Sequence, residues 1–173
     1  MLTIEFVVIP NEYTKNRCLL NRIQHDIGDL LSSRVPSDLY TNISHSHNLV
    51  VCAISDNQIG IDVEMKKELH LEDFERDIFP EFIWRNVNSS VNPSNTFLKY
   101  WTNLESALKA SKFGFNISFK EIQWDSEIEY ISIKGKKWFV KSICINKDFL
   151  CSISSTYSIK TFKAINVKLE NIK

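Results

Sequence analysis

The chain reads as an α+β protein: helix-forming segments occupy its first and middle parts, and strand-forming segments fill its last third. Leu19, Leu20, Ile23, Ile27 and Leu30, and again Phe97, Trp101, Leu104 and Leu108, recur at three- and four-residue intervals, which places them on one face of a helix. Beyond Gly114 the apolar residues alternate instead, through Ile117/Phe119, Ile128/Tyr130, 139–145 and 150–153, as strand side chains do. Gly and Pro are scarce, four of each, which favours continuous elements joined by tight Asn- and Ser-rich turns.

Taken in order, Leu2 to Ile9 forms a first strand, stopped by Pro10 and Asn11. Thr14 is placed to cap a helix running to about Leu31, and residues 32–41, which carry Pro36 and no period, are loop. Two β-rich runs follow, Leu49 to Ser55 and Gln58 to Met65. Only Asp56 and Asn57 separate them, the spacing of a two-residue hairpin. A helix is expected over 71–79, and a second short one opens with Pro80 in its first turn, where a missing N–H matters little. Residues 88–95 read as a polar loop. Ser94 or Asn95 caps a third helix, Thr96 to Phe113, with Gly114 as its stop. The remaining segments form an antiparallel meander with a hairpin tip at Lys134-Gly135-Lys136.

At 173 residues, with 43% hydrophobic and 24% charged residues, the chain has the balance of a soluble domain with a core. Lys plus Arg (21) equals Asp plus Glu (21), which argues against wholesale binding to nucleic acid or anionic membrane through net charge and leaves room for a local basic patch. No run approaches the roughly 20 apolar residues of a membrane span, and Glu5 interrupts any secretory pattern at the start. Cys18, Cys52, Cys144 and Cys151 show no metal-type spacing and each sits in an apolar segment. Reduced core thiols in a cytoplasmic protein are expected.

Three patterns carry chemistry. In Ile59-Gly60-Ile61-Asp62-Val63-Glu64 the strand period turns Asp62 and Glu64 to one face and Ile61 and Val63 to the other. Two adjacent carboxylates repel unless a cation lies between them. Hard oxygen ligands on a strand suit Mg²⁺, although an Asp-x-Glu pair taken alone is more often a solvated strand face. In Trp101 to Lys109, Glu105 and Lys109 are four apart and share a helix face. They form either an ordinary surface pair or a third carboxylate with a phosphate-binding ammonium. Asn42-Ile43-Ser44-His45-Ser46-His47 sets hydroxyls around an imidazole, to hold a phosphate or to cap the incoming strand. His25 and His70 lie among ordinary helix residues.

In this order, Asn42-Ile-Ser-His-Ser, Val51-Cys-Ala, Ile59-Gly-Ile-Asp-Val-Glu64 and Trp101-Thr through Glu105-Ser to Lys109 resemble the Sfp-type 4′-phosphopantetheinyl transferase superfamily. The match covers residues 42 to about 115. The length is closer to the compact, acyl-carrier-protein-directed members than to the longer peptide-synthetase activators. The resemblance implies two similar α/β halves about a pseudo-twofold axis, divided here as residues 1–58, a shortened nucleotide-side half, and 59–173, packed as one unit.

The implied activity is Mg²⁺-dependent transfer of phosphopantetheine from coenzyme A to a carrier-protein serine, as in fatty acid or polyketide biosynthesis. Asp62, Glu64 and Glu105 are then the Mg²⁺ ligands. Glu105 is the base, Lys109 holds the pyrophosphate, Ser44 and His45 face the 3′-phosphate, and Arg17 contacts the nucleotide end. The family usually has Lys where this chain has Leu104. With the short first half, this makes a relative that binds coenzyme A or a carrier without efficient turnover the alternative; a large gain in rate in Leu104→Lys points to weakened catalysis, and none in a non-binder to a lost pocket. An acyl or peptidyl carrier protein is the partner, with neither nucleic acid nor membrane, and the chain is expected to be a monomer. Lys112, Phe113 and Phe115, or else Lys134, Lys136, Lys137 and Lys141, form the expected docking face for an acidic carrier.

Overall fold

Helices and antiparallel strands alternate in the pattern expected of an α+β chain, in a computed structural model that describes residues 2–114 and 116–171. The first sheet is built from β1 (Thr3–Val8), β2 (Tyr40–Ser46), β3 (Leu49–Ser55) and β9 (Lys163–Asn166), in the order β2-β3-β1-β9. Its central strand β3 is almost wholly buried. Helix α1 (Arg17–Ser33) covers one face, setting Leu20, Ile27 and Leu31 against Val7, Ile9, Val50 and Cys52. Asn16 caps this helix, its side chain accepting from the Leu19 N–H, so the start lies beyond Thr14, which sits in a preceding 3₁₀ turn.

The second sheet has the order β4-β8-β7-β6-β5, from β4 (Ile59–Met65), β5 (Ile122–Trp124), β6 (Tyr130–Ile133), β7 (Lys136–Ile143) and β8 (Phe149–Ser155). The meander is as expected, and Lys134 and Gly135, with φ of 48° and 78°, make the two-residue turn between β6 and β7. Helices α2 (Glu81–Ser89) and α3 (Pro93–Ser111) pack here around an aromatic core in which Phe97 stacks on Trp101 and touches Phe74, Phe79 and Trp84. Among the described residues no helix is long and apolar enough to cross a membrane.

Several expectations give way. The runs 49–55 and 58–65 do not form a hairpin. Both edges of β3 are taken, by β1 and β2, and β4 pairs with β8 in the other sheet. Residues 71–79 are two 3₁₀ turns rather than a helix. A helical Arg76 carbonyl would bond the N–H of residue 80, and Pro80 has none. The Trp84 indole N–H serves that carbonyl instead, at 2.8 Å. Pro80 itself stands one step outside α2, as its N-cap.

Asn92, not Ser94 or Asn95, caps α3, with Pro93 opening it. The Ser94 hydroxyl is engaged with the Leu69 N–H and Glu68. The left-handed residue that closes α3 is Lys112 (φ 63°), two residues before Gly114. Ile117 and Phe119 precede the sheet and Ile128 lies in a turn. Neither strand β2, whose residues read as loop and polar turn, nor strand β9, parallel to β1, was anticipated. Of the cysteines, Cys52 and Cys151 are buried, but Cys18 and Cys144 are exposed; all four are free thiols.

Candidate active site

The two sheets meet where β2 lies against the free edge of β4, and side chains do the work of a missing backbone ladder. Asn42, Ser44 and Ser46 alternate along β2 and so share a face. Asn42 Oδ1 accepts from the Ile61 N–H at 2.9 Å, Ser44 Oγ from Val63 at 3.3 Å, and Ser46 Oγ from Met65 at 3.1 Å. The two hydroxyls also donate to the acidic side chains of β4. Ser44 reaches Asp62 Oδ1 at 2.9 Å and Ser46 reaches Glu64 Oε2 at 3.0 Å.

Helix α3 closes the other side. It approaches β4 so closely that a Cβ on Gly60 would lie 2.0 Å from the Ser106 carbonyl oxygen. Hydroxyl pairs tie the same helix to the neighbouring strand β8: Thr102 bonds Ser152 at 2.8 Å and Ser106 bonds Ser154 at 2.6 Å, all four buried. With the helix fixed in this rotation, Leu104 faces the core, fully buried, and Glu105 and Lys109 face β4. Lys109 Nζ donates to Asp62 Oδ1 at 2.6 Å and to Ser44 Oγ at 3.0 Å, and lies 3.8 Å from Glu105 Oε2. Ser44 thereby spends its full capacity, one donor and two lone pairs.

Asp62 is buried, and Glu64 and Glu105 are half-buried, so the acidic residues are not a solvated strand face. Burial, and then the charge of Asp62, push the Glu105 carboxyl up to about 8. The same two causes raise Glu64 above the ordinary carboxyl range. Asp62 Oδ2 is buried with no hydrogen-bond partner. An orphaned carboxylate oxygen among three acids has the donor chemistry of a hard divalent cation site. No three His, Cys, Asp or Glu side chains among the described residues converge as a ready-made cage; the ammonium of Lys109 supplies the positive charge there.

Beside this cluster, a groove of about 400 Å³ is lined by Thr14, Arg17, Leu20, Gln24, His45 and Ser46, among others. Arg17 and His45 therefore come together, from α1 and β2. Ser44 and His45 do not share a face: Ser44 turns inward to Asp62, His45 outward to the groove. Ser46 belongs to both places, lining the groove and holding Glu64. Partial desolvation, then His25 and Lys109, hold the His45 imidazole below its ordinary value. His25 packs edge-on against it at 5.3 Å. The roles of His25, Asn42 and Ser46 escaped sequence reasoning; the two-residue spacing of Asn42, Ser44 and Ser46 was the available signal for the last two.

At the far end of α3, Phe113 is exposed and the Lys134 ammonium lies 4.7 Å from its ring centroid, so the two expected docking patches meet. Phe115 lies outside the described residues. Lys141 turns away, donating to the Ile159 and Lys160 carbonyls.

Residues 58–154 match the family model described as the 4′-phosphopantetheinyl transferase superfamily. The chain is also similar to 4′-phosphopantetheinyl transferase gsp of Aneurinibacillus migulanus, with 37% identity over 132 residues. That alignment covers 73% of this chain and 56% of the relative, so the chain matches little more than half of that protein's length.

Proposed function

Given that the chain belongs to the 4′-phosphopantetheinyl transferase superfamily, we propose that it moves 4′-phosphopantetheine from coenzyme A to a serine of an acyl or peptidyl carrier protein. It would act in the cytoplasm, as a monomer of the holo-acyl-carrier-protein synthase type. The observation that carries this reading is the buried Asp62, with one oxygen on Lys109 and the other orphaned, beside a groove that presents Arg17 and His45.

In this mechanism the groove takes the nucleotide end of coenzyme A, with Arg17 and His45 toward its 3′-phosphate. Ser44 serves the reaction indirectly, by holding Asp62 and Lys109 in register. The carrier serine oxygen attacks the phosphorus that bears the pantetheine arm; the bond from that phosphorus to the bridging oxygen breaks, and 3′,5′-ADP leaves. Glu105, directly or through a water, takes the serine proton. Lys109 meets the negative charge that builds on the pyrophosphate oxygens, so the protein contributes mainly position and electrostatics. Asp62, with Glu64 and Glu105, would hold Mg²⁺, which supplies further charge neutralisation to the pyrophosphate.

Leu104 bears on the choice between an active enzyme and a weakened binder. It is fully buried within the aromatic core, on a different face of α3 from Glu105 and Lys109. A leucine there removes no group from the cleft, which favours the active reading. The patch at Phe113 and Lys134 offers apolar and basic contacts to an acidic carrier.

The test is intact-protein mass spectrometry of an apo carrier protein incubated with this chain, coenzyme A and Mg²⁺. The expected result is a mass gain of one phosphopantetheine, abolished by EDTA and by Asp62→Ala. No gain on several acyl and peptidyl carriers, with the chain folded, would overturn the transfer reading.

A further inference from the structure

We propose that Ser46 is a positioning residue for the reaction, fixing the Glu64 carboxylate beside Asp62 as a cation ligand. The inference rests on the cation-dependent reading above and goes beyond it by assigning a task to a residue that is neither ligand nor base.

Side chains interlock β2 with β4. Three β2 side chains accept three alternate β4 amides, and by that measure Asn42, Ser44 and Ser46 are equivalent. They differ in what else they hold. Asn42 holds the Ile61 N–H and no carboxylate. Ser44 is bound to Asp62 and Lys109, so that deleting it disturbs several charges at once. Ser46 alone connects a β4 amide to Glu64.

Among the described residues, Ser46 provides the one hydrogen bond to the Glu64 carboxylate. No ion pair competes for that carboxylate within the same residues. A glutamate has three side-chain torsions, and half-buried next to another acid it would swing away from Asp62 toward water. A single hydroxyl, itself anchored by the Met65 N–H, holds it in place. Groups that orient ligands in this way typically change metal affinity about 10- to 100-fold when removed. Ser46 also lines the nucleotide groove, so one residue of β2 ties the groove wall to the carboxylates.

The experiment compares Ser46→Ala, Ser46→Thr and Asn42→Ala with the wild type, using Mn²⁺ as the probe. Mn²⁺ affinity is read by calorimetry in the absence of coenzyme A, folding by thermal melting, and the Mg²⁺ requirement of carrier modification by mass spectrometry. We expect S46A to weaken Mn²⁺ binding roughly tenfold or more. It should raise the Mg²⁺ concentration for half-maximal transfer by a similar factor. S46T, which keeps the hydroxyl, is expected to bind Mn²⁺ nearly as the wild type does. N42A removes an equivalent anchor of β4 and should lower the melting temperature while leaving Mn²⁺ affinity within about twofold.

A purely structural Ser46 would make S46A and N42A behave alike; equal Mn²⁺ affinities in S46A and wild type, or equal losses in S46A and N42A, overturn the proposal. Ser46→Cys, similar in size but a poor donor, gives the same comparison should the alanine variant fail to fold. Wild type that binds Mn²⁺ without modifying a carrier removes the transfer reading and leaves the S46A comparison decisive. Wild type that binds no Mn²⁺ at millimolar concentration overturns the Ser46 assignment along with the cation site.

Discussion

Replacing Gly60 with alanine tests whether the close approach of α3 to β4 is what assembles the site. On propensity alone the change should help, because glycine inside a strand is about 0.5–1 kcal/mol worse than alanine. The packing predicts the opposite. The new methyl would lie 2.0 Å from the Ser106 carbonyl oxygen, 2.5 Å from the Ala110 nitrogen and 3.0 Å from the Ala110 Cβ. The first two are helix backbone and cannot rotate aside. Restoring an ordinary separation of 3.4 Å from the carbonyl requires α3 to recede by about 1.4 Å.

Overpacking of this kind costs about 1–3 kcal/mol, and a shift that also opens the 2.6 Å Ser106–Ser154 bond adds about 1 kcal/mol. A net destabilisation of about 3 kcal/mol is expected in urea denaturation. A displacement near 1 Å of Glu105 and Lys109 from Asp62 should lower transfer on the order of a hundredfold. G60A with stability within about 0.5 kcal/mol of wild type and transfer within twofold would refute the reasoning.

Glu105 predicts a pH dependence. Its folded value near 8 lies above its ordinary 4.5, so the folded state binds the extra proton between them. Stability of the metal-free protein therefore falls as pH rises from about 4.5 to 8 and levels off above; denaturation midpoints across that range, with Glu105→Gln as the flatter control, check it. The buried hydroxyl pair predicts non-additivity. Ser106→Ala strands the Ser154 hydroxyl and should cost about 1–3 kcal/mol, Ser154→Ala less because Ser106 still donates to the Asn103 carbonyl, and the double variant less than the sum. Leu104→Lys should not raise the rate as the family motif suggests. It places an ammonium in the aromatic core and should lower the melting temperature sharply, seen by circular dichroism.

The α+β class, the meander and the long third helix follow from periodicity, because 3.6- and two-residue repeats of apolar side chains select element type almost independently of context. The same holds for the pairing of Asp62 with Glu64 and of Glu105 with Lys109, each set by local geometry. Pairing between strands was not legible in this way. Runs 49–55 and 58–65 look like a hairpin locally, yet the sheet order sends them to different sheets, since a strand has only two edges and β3 had already used both. Residues 71–79 carry helical spacing, but Pro80 withholds the N–H that the last turn needs.

The residue types of the site could be read from the chain, whereas their tasks depended on where β2 lay. Ser44 and His45 are neighbours in sequence and part company in space, one to the carboxylates and one to the groove, because strand side chains alternate. Gly60 is an unremarkable glycine until α3 arrives above it. Sequence by itself determined the long, strongly periodic elements and which acids and bases share a face, through interactions a few residues long. The meeting of β2, β4 and α3, which buries Asp62 and hands it to Lys109, was decided by tertiary structure, because only packing between distant segments removes water from a carboxylate and chooses its partner.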